Sequence, residues 1–231
     1  MIKDNFFSLL SLFSGKSELL AIVLLTLKVS ITSVFLASLI ALPLGCLVAI
    51  SEFRNKKICI VFLNALMGLP PVVVGLMVYL IFSRAGPLGD FGILFTPAIM
   101  IIAQVILIMP ILCALTRQII QDLWEEYEEQ LKSFGIKKFR IIFTLLWDAR
   151  FSLVTIILAG LGRALSEVGA VLIVGGNIEG VTRVMTTAIT LETSKGDLSF
   201  ALLLGIILLL IILLLNGIIF FLNELTSKYL K

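Results

Sequence analysis

Hydrophobic positions run along this chain in blocks rather than in stripes. Five blocks, near residues 20–50, 57–82, 95–116, 151–174 and 199–222, are apolar on every side. A helix that is apolar all round sits in a large core or in lipid, and about 20 such residues cross a bilayer. The pattern predicts five membrane-spanning helices. The first block is too long for a perpendicular span, so it tilts or begins in the interface, and Lys28 in its outer part can snorkel. Residues 6–13, "FFSLLSLF", are expected to form a short interfacial helix.

Prolines mark interruptions. Pro43, Pro70, Pro71 and Pro110 fall within three of the blocks. A proline inside a helix removes a hydrogen bond and crowds the preceding turn. In lipid the freed carbonyls need donors, so such breaks face protein or a cavity. Asn64 is a candidate donor. The Pro70–Pro71 break and the fourth block are candidates for lining a pathway, and a kink needed only for packing fits the same residues.

One stretch departs from the apolar pattern. "DLWEEYEEQLKSFGIKKFRIIFTLL", residues 122–146, carries Glu125, Glu126, Glu128 and Glu129, then Gly135, then Lys137, Lys138 and Arg140. On a helix, Leu123, Tyr127, Leu131 and Phe134 share one face. Gly135 stands where a left-handed C-terminal cap would end that helix. A second helix, about 137–147, would gather Phe139, Phe143 and Leu146 on one side. The spacing predicts two short amphipathic helices joined at a sharp corner, either a membrane-surface elbow or a socket for a partner.

Composition agrees with the membrane class. Mean hydropathy is +1.16 and charged residues make up 14% of 231, against about a quarter in soluble domains. Cys46, Cys59 and Cys113 lack metal or redox spacing and are expected to pack as small apolar residues. With no histidine, histidine-based catalysis and histidine metal ligation are excluded, and no metal site is expected. The net charge of +3 gives no ground for nucleic-acid binding. Eleven of the 18 Lys and Arg residues fall on one side of the predicted spans and five on the other, with Lys28 and Arg163 inside. The positive-inside rule then puts residues 117–150 in the cytoplasm, the N-terminus outside and the C-terminus inside.

Two ionisable residues, Arg163 and Glu167, fall inside the fourth block. Such groups are costly in lipid and face protein or water. Four residues apart on a helix, they can pair. An internal ion pair is favoured over direct anion contact for Glu167, because a fixed carboxylate repels an anion. Gly162, Ser166 and Ala170 form a small-residue row beside it, of the kind that lets helices approach closely. Beyond lies "GGNIEGVTR", followed by Thr186 and Thr187. Glycine amides, threonine hydroxyls and Arg183 could hold a tetrahedral oxyanion; a polar outer loop that contacts a partner fits equally.

Several motifs resemble one family. "EQLKSFG" resembles the E-A-A-x-x-x-G loop of ABC-importer permeases, with Glu129 and Gly135 in place, Gln130 and Leu131 replacing the alanines, and Asp148 where a proline is expected. "RALSEVGAVLIVGGNIEGVTRVMTTAI", "LPPVVVGLMVYLIFSRAGPLG" and "LFTPAIMIIAQVILIMPI" resemble permeases for molybdate, tungstate and sulfate over about 20–222. "MGLPPVVVGLMVYL" with "TTAITLETSKGD" looks most like the tungstate branch. The resemblance implies an all-α polytopic membrane protein with the transmembrane domain of a type I ABC importer over 20–222. Flanking it are an N-terminal segment, 1–19, and a cytoplasmic tail, 223–231. It implies that the coupling loop 117–150, with Glu129, Leu131, Gly135, Lys137 and Lys138, docks on a separate ATPase. Candidate pathway or supporting residues are Pro70, Pro71, Arg163, Ser166, Glu167, Asn177, Thr182 and Arg183.

The chain has no G-x-x-x-x-G-K-[ST] phosphate loop, so no cofactor is expected on it, and ATP and Mg would sit on the partner ATPase. A dianion entering against 100 mV meets roughly 4.6 kcal/mol, which needs a drive. The expected assembly is a homodimer with cytoplasmic ATPase subunits and an extracytoplasmic oxyanion-binding protein, in contact with lipid in the cell membrane. Tungstate is the expected cargo; molybdate, sulfate or another small solute fits the same architecture. An intramembrane protease of the serine–histidine or paired-aspartate type is excluded by the missing histidine and the lack of membrane Asp. A passive scaffold would leave the polar loop without a role.

Overall fold

The computed structural model describes residues 16–229, and side chains over 19–221. The expected interfacial helix at 6–13 lies outside them. Among the described residues three helices are long and apolar enough to cross a membrane, and five spans result if each of two sharply bent helix pairs counts as one. In chain order the helices are α1 (Lys16–Ile50), α2 (Lys56–Leu66), α3 (Pro71–Phe82), α4 (Pro97–Ser133), α5 (Lys138–Asp148), α6 (Arg150–Leu165), α7 (Gly169–Gly175), α8 (Met185–Lys195) and α9 (Leu198–Tyr229).

α1 and α4 form the spine. α1 turns one row of small residues inward: Thr26, Ser30, Ser33, Ala37, Ala41, Gly45 and Ala49 are all buried. A Cβ on Gly45 would lie 2.6 Å from the Cys113 carbonyl oxygen of α4, so the two backbones nearly touch there. The Thr26 and Ser33 hydroxyls donate to the carbonyls of Ile22 and Val29, each at 2.7 Å, which keeps them satisfied without water. This row takes the place of the one expected in the fourth block. A Cβ on Gly162 would meet nothing within 4 Å, and Ser166 is exposed.

The prolines behave unequally. Pro43 and Pro110 sit inside continuous helices, contrary to the expected interruptions. One missing N–H is tolerated in a ladder of 35 or 37 residues. At Pro70–Pro71 two successive donors are absent, and the residue before a proline is pushed out of the helical region. Pro70 takes ψ 122° and Pro71 begins α3. α2 and α3 therefore meet at 95°. Asn64 is exposed and makes no side-chain hydrogen bond among the described residues, so the donor role expected of it is not seen.

The third block does not stop at 116. α4 continues to Ser133, about 55 Å at roughly 1.5 Å per residue, and projects well beyond a ~30 Å hydrocarbon core. The first of the two expected short helices is thus the end of a span. The fourth block breaks where no proline stands: α6 ends at Leu165 and α7 begins at Gly169. The expected polar outer loop contains the helix α8, with Met185, Thr186, Thr187 and Ala188 buried. The expected tail remains helical through Tyr229.

Candidate functional site

Two regions collect the polar residues. The first is the elbow between α4 and α5. α4 ends at Ser133 with Phe134 as its cap, and Gly135 follows with φ +63°, the left-handed residue its position predicts. A Cβ there would touch nothing within 4 Å, so glycine is required by the backbone and not by crowding. Lys137 caps α5 in extended conformation. α5 then meets α6 at 78°, lying across the bundle. Ile141 and Leu145 bury against the α1–α4 core, as do in part Leu123, Tyr127, Leu131 and Ile136.

The elbow's apolar residues divide in a way the helical wheel does not show. Phe134, expected inward, is 76% exposed. Phe139, Phe143 and Trp147 form an outward stripe, 70%, 59% and 73% exposed, with the two phenylalanine rings edge to face at 4.8 Å. Leu146 is half-buried on the other side. Glu125, Glu126, Glu129, Lys137, Lys138 and Arg140 are exposed around this stripe. Asp148 faces the Tyr127 hydroxyl, and its carboxylate, with Glu126, pushes the Tyr127 pKa up. The residue standing where a proline was expected thus sets a carboxylate at the end of α5 close to Tyr127 of α4.

The second region is the break in the fourth span. Arg163 Nη1 donates to Glu167 Oε2 at 2.6 Å, so the expected pair forms, but Glu167 lies in the break and not on a continuous helix. Its other oxygen, Oε1, accepts the Ala170 N–H at 3.0 Å. That carboxylate replaces the Ser166 carbonyl that would accept this N–H in an unbroken helix, a side-chain competition open to acidic residues. The Glu167 carbonyl accepts from the Thr186 hydroxyl at 2.8 Å, and the Ala164 carbonyl near the end of α6 accepts both the Glu167 N–H at 3.3 Å and Gln104 Nε2 at 3.1 Å. Glu167 is 3% exposed and Arg163 is 32% exposed on its side chain. Ser166 is exposed, its hydroxyl on the Arg163 carbonyl.

The two breaks adjoin. Cβ atoms on Gly75 and Gly169 would lie 2.8 Å from Ala170 Cα and 3.0 Å from a Val72 methyl, so α3 and α7 run side by side from neighbouring starts. Beyond α7 the outer loop closes on itself. Asn177 is left-handed, φ +50°, and its Nδ2 reaches the Thr187 carbonyl. The Thr182 hydroxyl donates to the Gly175 carbonyl at 2.6 Å and accepts the Ile178 N–H at 3.0 Å. The Thr187 hydroxyl accepts the Val184 N–H and donates to the Val184 carbonyl, and Arg183 pairs with Glu179 at 3.5 Å. These hydroxyls hold the loop's shape.

Residues 41–228 match the family model described as binding-protein-dependent transport system inner membrane component. The chain belongs to this family of membrane permeases. It is 39% identical over 92% of its length to the tungstate uptake system permease protein TupB of Peptoclostridium acidaminophilum, 93% of which is covered. The corresponding protein of Campylobacter jejuni is 37% identical over 91% of this chain and 88% of its own. A molybdenum transport system permease protein, ModB, of Escherichia coli is 29% identical over 76% and 81%.

Within this permease fold some contributors escaped the sequence reading. Gln104 and Thr26 are buried, and the Thr26 hydroxyl accepts the Met185 N–H at 2.9 Å, seating α8. The available signal was an isolated Gln in the apolar run "IIAQVILI", where a polar side chain in lipid must find a partner.

Proposed function

We propose that this chain is the membrane-spanning subunit of an ATP-driven ABC importer that carries an oxyanion, tungstate first, into the cell. The observation that carries the reading is the elbow: a 37-residue helix ends beyond the bilayer in a glycine-capped corner that presents Phe134, Phe139, Phe143 and Trp147 to the outside. Exposed aromatic clusters rimmed by charge mark interaction surfaces. Since the chain carries no phosphate loop, the partner there is the ATPase subunit, with ATP and Mg. The cargo rests on the similarity to tungstate permeases along nearly the whole length of both chains.

The elbow end faces the cytoplasm, as the Lys and Arg distribution requires, and the outer loop faces an extracytoplasmic binding protein. A cysteine placed at Lys137 should label only from inside, and one at Arg183 only from outside. The opposite sidedness would remove the docking role of the elbow. One chain offers too few helices to enclose a path, so two copies assemble. The cargo is tested by labelled tungstate uptake in cells lacking this chain, with and without its restoration, against excess molybdate and sulfate. Restored uptake that tungstate competes best supports the reading; uptake competed best by sulfate would reassign the cargo.

A further inference from the structure

Outside the elbow, one face of the molecule is unpartnered in an unusual way. α2 has no buried residue although its sequence is "KKICIVFLNAL", and Ile58, Val61 and Phe62 are 68%, 68% and 63% exposed. Next to it the start of α3 is bare, with Val72 and Val73 57% and 47% exposed. Exposed apolar side chains alone would suit lipid. Arg163 and Ser166 would not. Their break lies beside the start of α3, because Gly169, three residues on from Ser166, would bring a Cβ to 3.6 Å from Pro71. α3 has 12 residues, about 18 Å, so its start lies near the middle of a ~30 Å hydrocarbon core. A guanidinium about one-third exposed at that depth faces protein or a watery path, not acyl chains.

The cover that meets these terms is a second copy. A two-fold interface uses one patch twice, so a copy placed over this face brings its own Arg163 and Ser166 to the first. Arg163 spends one N–H on Glu167, and the guanidinium carries five. Glu167 is turned inward, one oxygen on Arg163 and the other on the Ala170 amide, so the open side presents the remaining guanidinium donors and no carboxylate, while the Ser166 hydroxyl is held on the Arg163 carbonyl. Guanidinium forks match the oxygens of a tetrahedral anion.

Resting on the permease reading above, we propose that two copies meet across the α2–α3 face and that their two Arg163 side chains together form a mid-membrane contact for a tetrahedral dianion. The buried Glu167 partners offset part of the positive charge. The contact is therefore a weak one, suited to passage and not to retention.

The test uses the full chain with its ATPase partner, reconstituted in vesicles, in a background where Cys46, Cys59 and Cys113 are serine. Ser166→Cys should form a covalent dimer with a short bifunctional thiol reagent, and Leu213→Cys on α9, 67% exposed, should not. Tungstate should slow labelling of Ser166→Cys by a small charged thiol reagent severalfold. Arg163→Gln should abolish that protection and Arg163→Lys should restore part of it. Should Arg163→Gln fail to assemble, the lysine variant alone decides, with protection weaker than in the arginine form. Absence of the Ser166 cross-link, or labelling only by a lipid-soluble reagent, would show that lipid covers this face and overturn the proposal. Cross-linking without tungstate protection would overturn the anion contact. Failure of tungstate uptake to depend on the chain in cells is a separate result and would overturn the permease reading itself.

Discussion

The elbow and the fourth-span break are both made of charged and polar residues set at the ends of helices, and they dispose of them in opposite ways. In the break the buried polar groups are largely spent within the chain, with the outer side of Arg163 left open: Glu167 takes Arg163 and the Ala170 amide, Thr186 takes the Glu167 carbonyl, and Gln104 takes Ala164. At the elbow the four aromatic rings and most charges are turned outward, and the internal ties are few. An isolated polar network in lipid has no water to fall back on, so it closes on itself. A helix end in water has no such need, and rings left exposed there are kept for a partner. Internal pairing thus marks the architecture and exposure marks the docking surface.

The largest expected effect breaks the closed side of this comparison. Glu167→Gln leaves Arg163 without its carboxylate, and removing one partner of a buried pair costs about 3–5 kcal/mol. Thermal unfolding in detergent should show a large loss of stability and assembly, with anion preference unchanged in whatever folds. Normal assembly with altered preference would place Glu167 on the pathway.

Next come two glycines that differ in their surroundings. Gly75→Val drives a side chain into the Ala170 backbone, 2.8 Å from the Cβ position, and overpacking of this kind costs about 1–3 kcal/mol. Gly162→Val meets nothing and should be close to neutral by the same measurement. Equal losses at both positions would restore the small-residue row that the sequence indicated.

The open side is tested by Phe139→Ala with Phe143→Ala. Both rings are exposed, so folding should hardly change, while capture of the ATPase should weaken about tenfold or more, as for interface anchors worth upward of about 1.4 kcal/mol. Unchanged capture in a pull-down of the purified ATPase would move the docking surface elsewhere. Smallest is Tyr127→Phe. The raised Tyr127 pKa means that the folded state favours the neutral phenol. Its contribution is present below the ordinary value of 10.0 and is lost as pH rises through the folded value. The phenylalanine variant should match the parent near neutral pH and should lack that alkaline loss in a pH-dependent melt.

The hydropathy blocks carried the spans, because nothing but lipid or a large core accommodates helices apolar on every side. Gly135 was legible for a related reason: a helix ending in polar surroundings needs a left-handed residue, and glycine supplies it. The spacing of Arg163 and Glu167 likewise gave their pairing. The break between them was hidden, because it depends on a carboxylate displacing a backbone carbonyl, which leaves no trace in hydropathy. The division of the elbow rings was hidden too. A helical wheel places Phe134 beside Leu131, but the helix ends at Ser133 and Phe134 turns with the cap. α8 was missed because Met185 and Ala188 are buried against α1, whose Thr26 lies 159 residues away, and against α9, which folds back on α8 directly after it.

The central claim is that the elbow transmits ATP hydrolysis to oxyanion movement, and Gly135→Val tests it most directly. A β-branched residue at φ +63° is strained by about 1–2 kcal/mol. With no neighbour within 4 Å the strain falls on the corner alone, re-aiming α5 while the spans remain. In the reconstituted complex, tungstate uptake and ATPase turnover should be measured together. The account predicts normal insertion and continued hydrolysis with uptake lost; uptake at the unaltered rate would show that the elbow is only a membrane-surface corner.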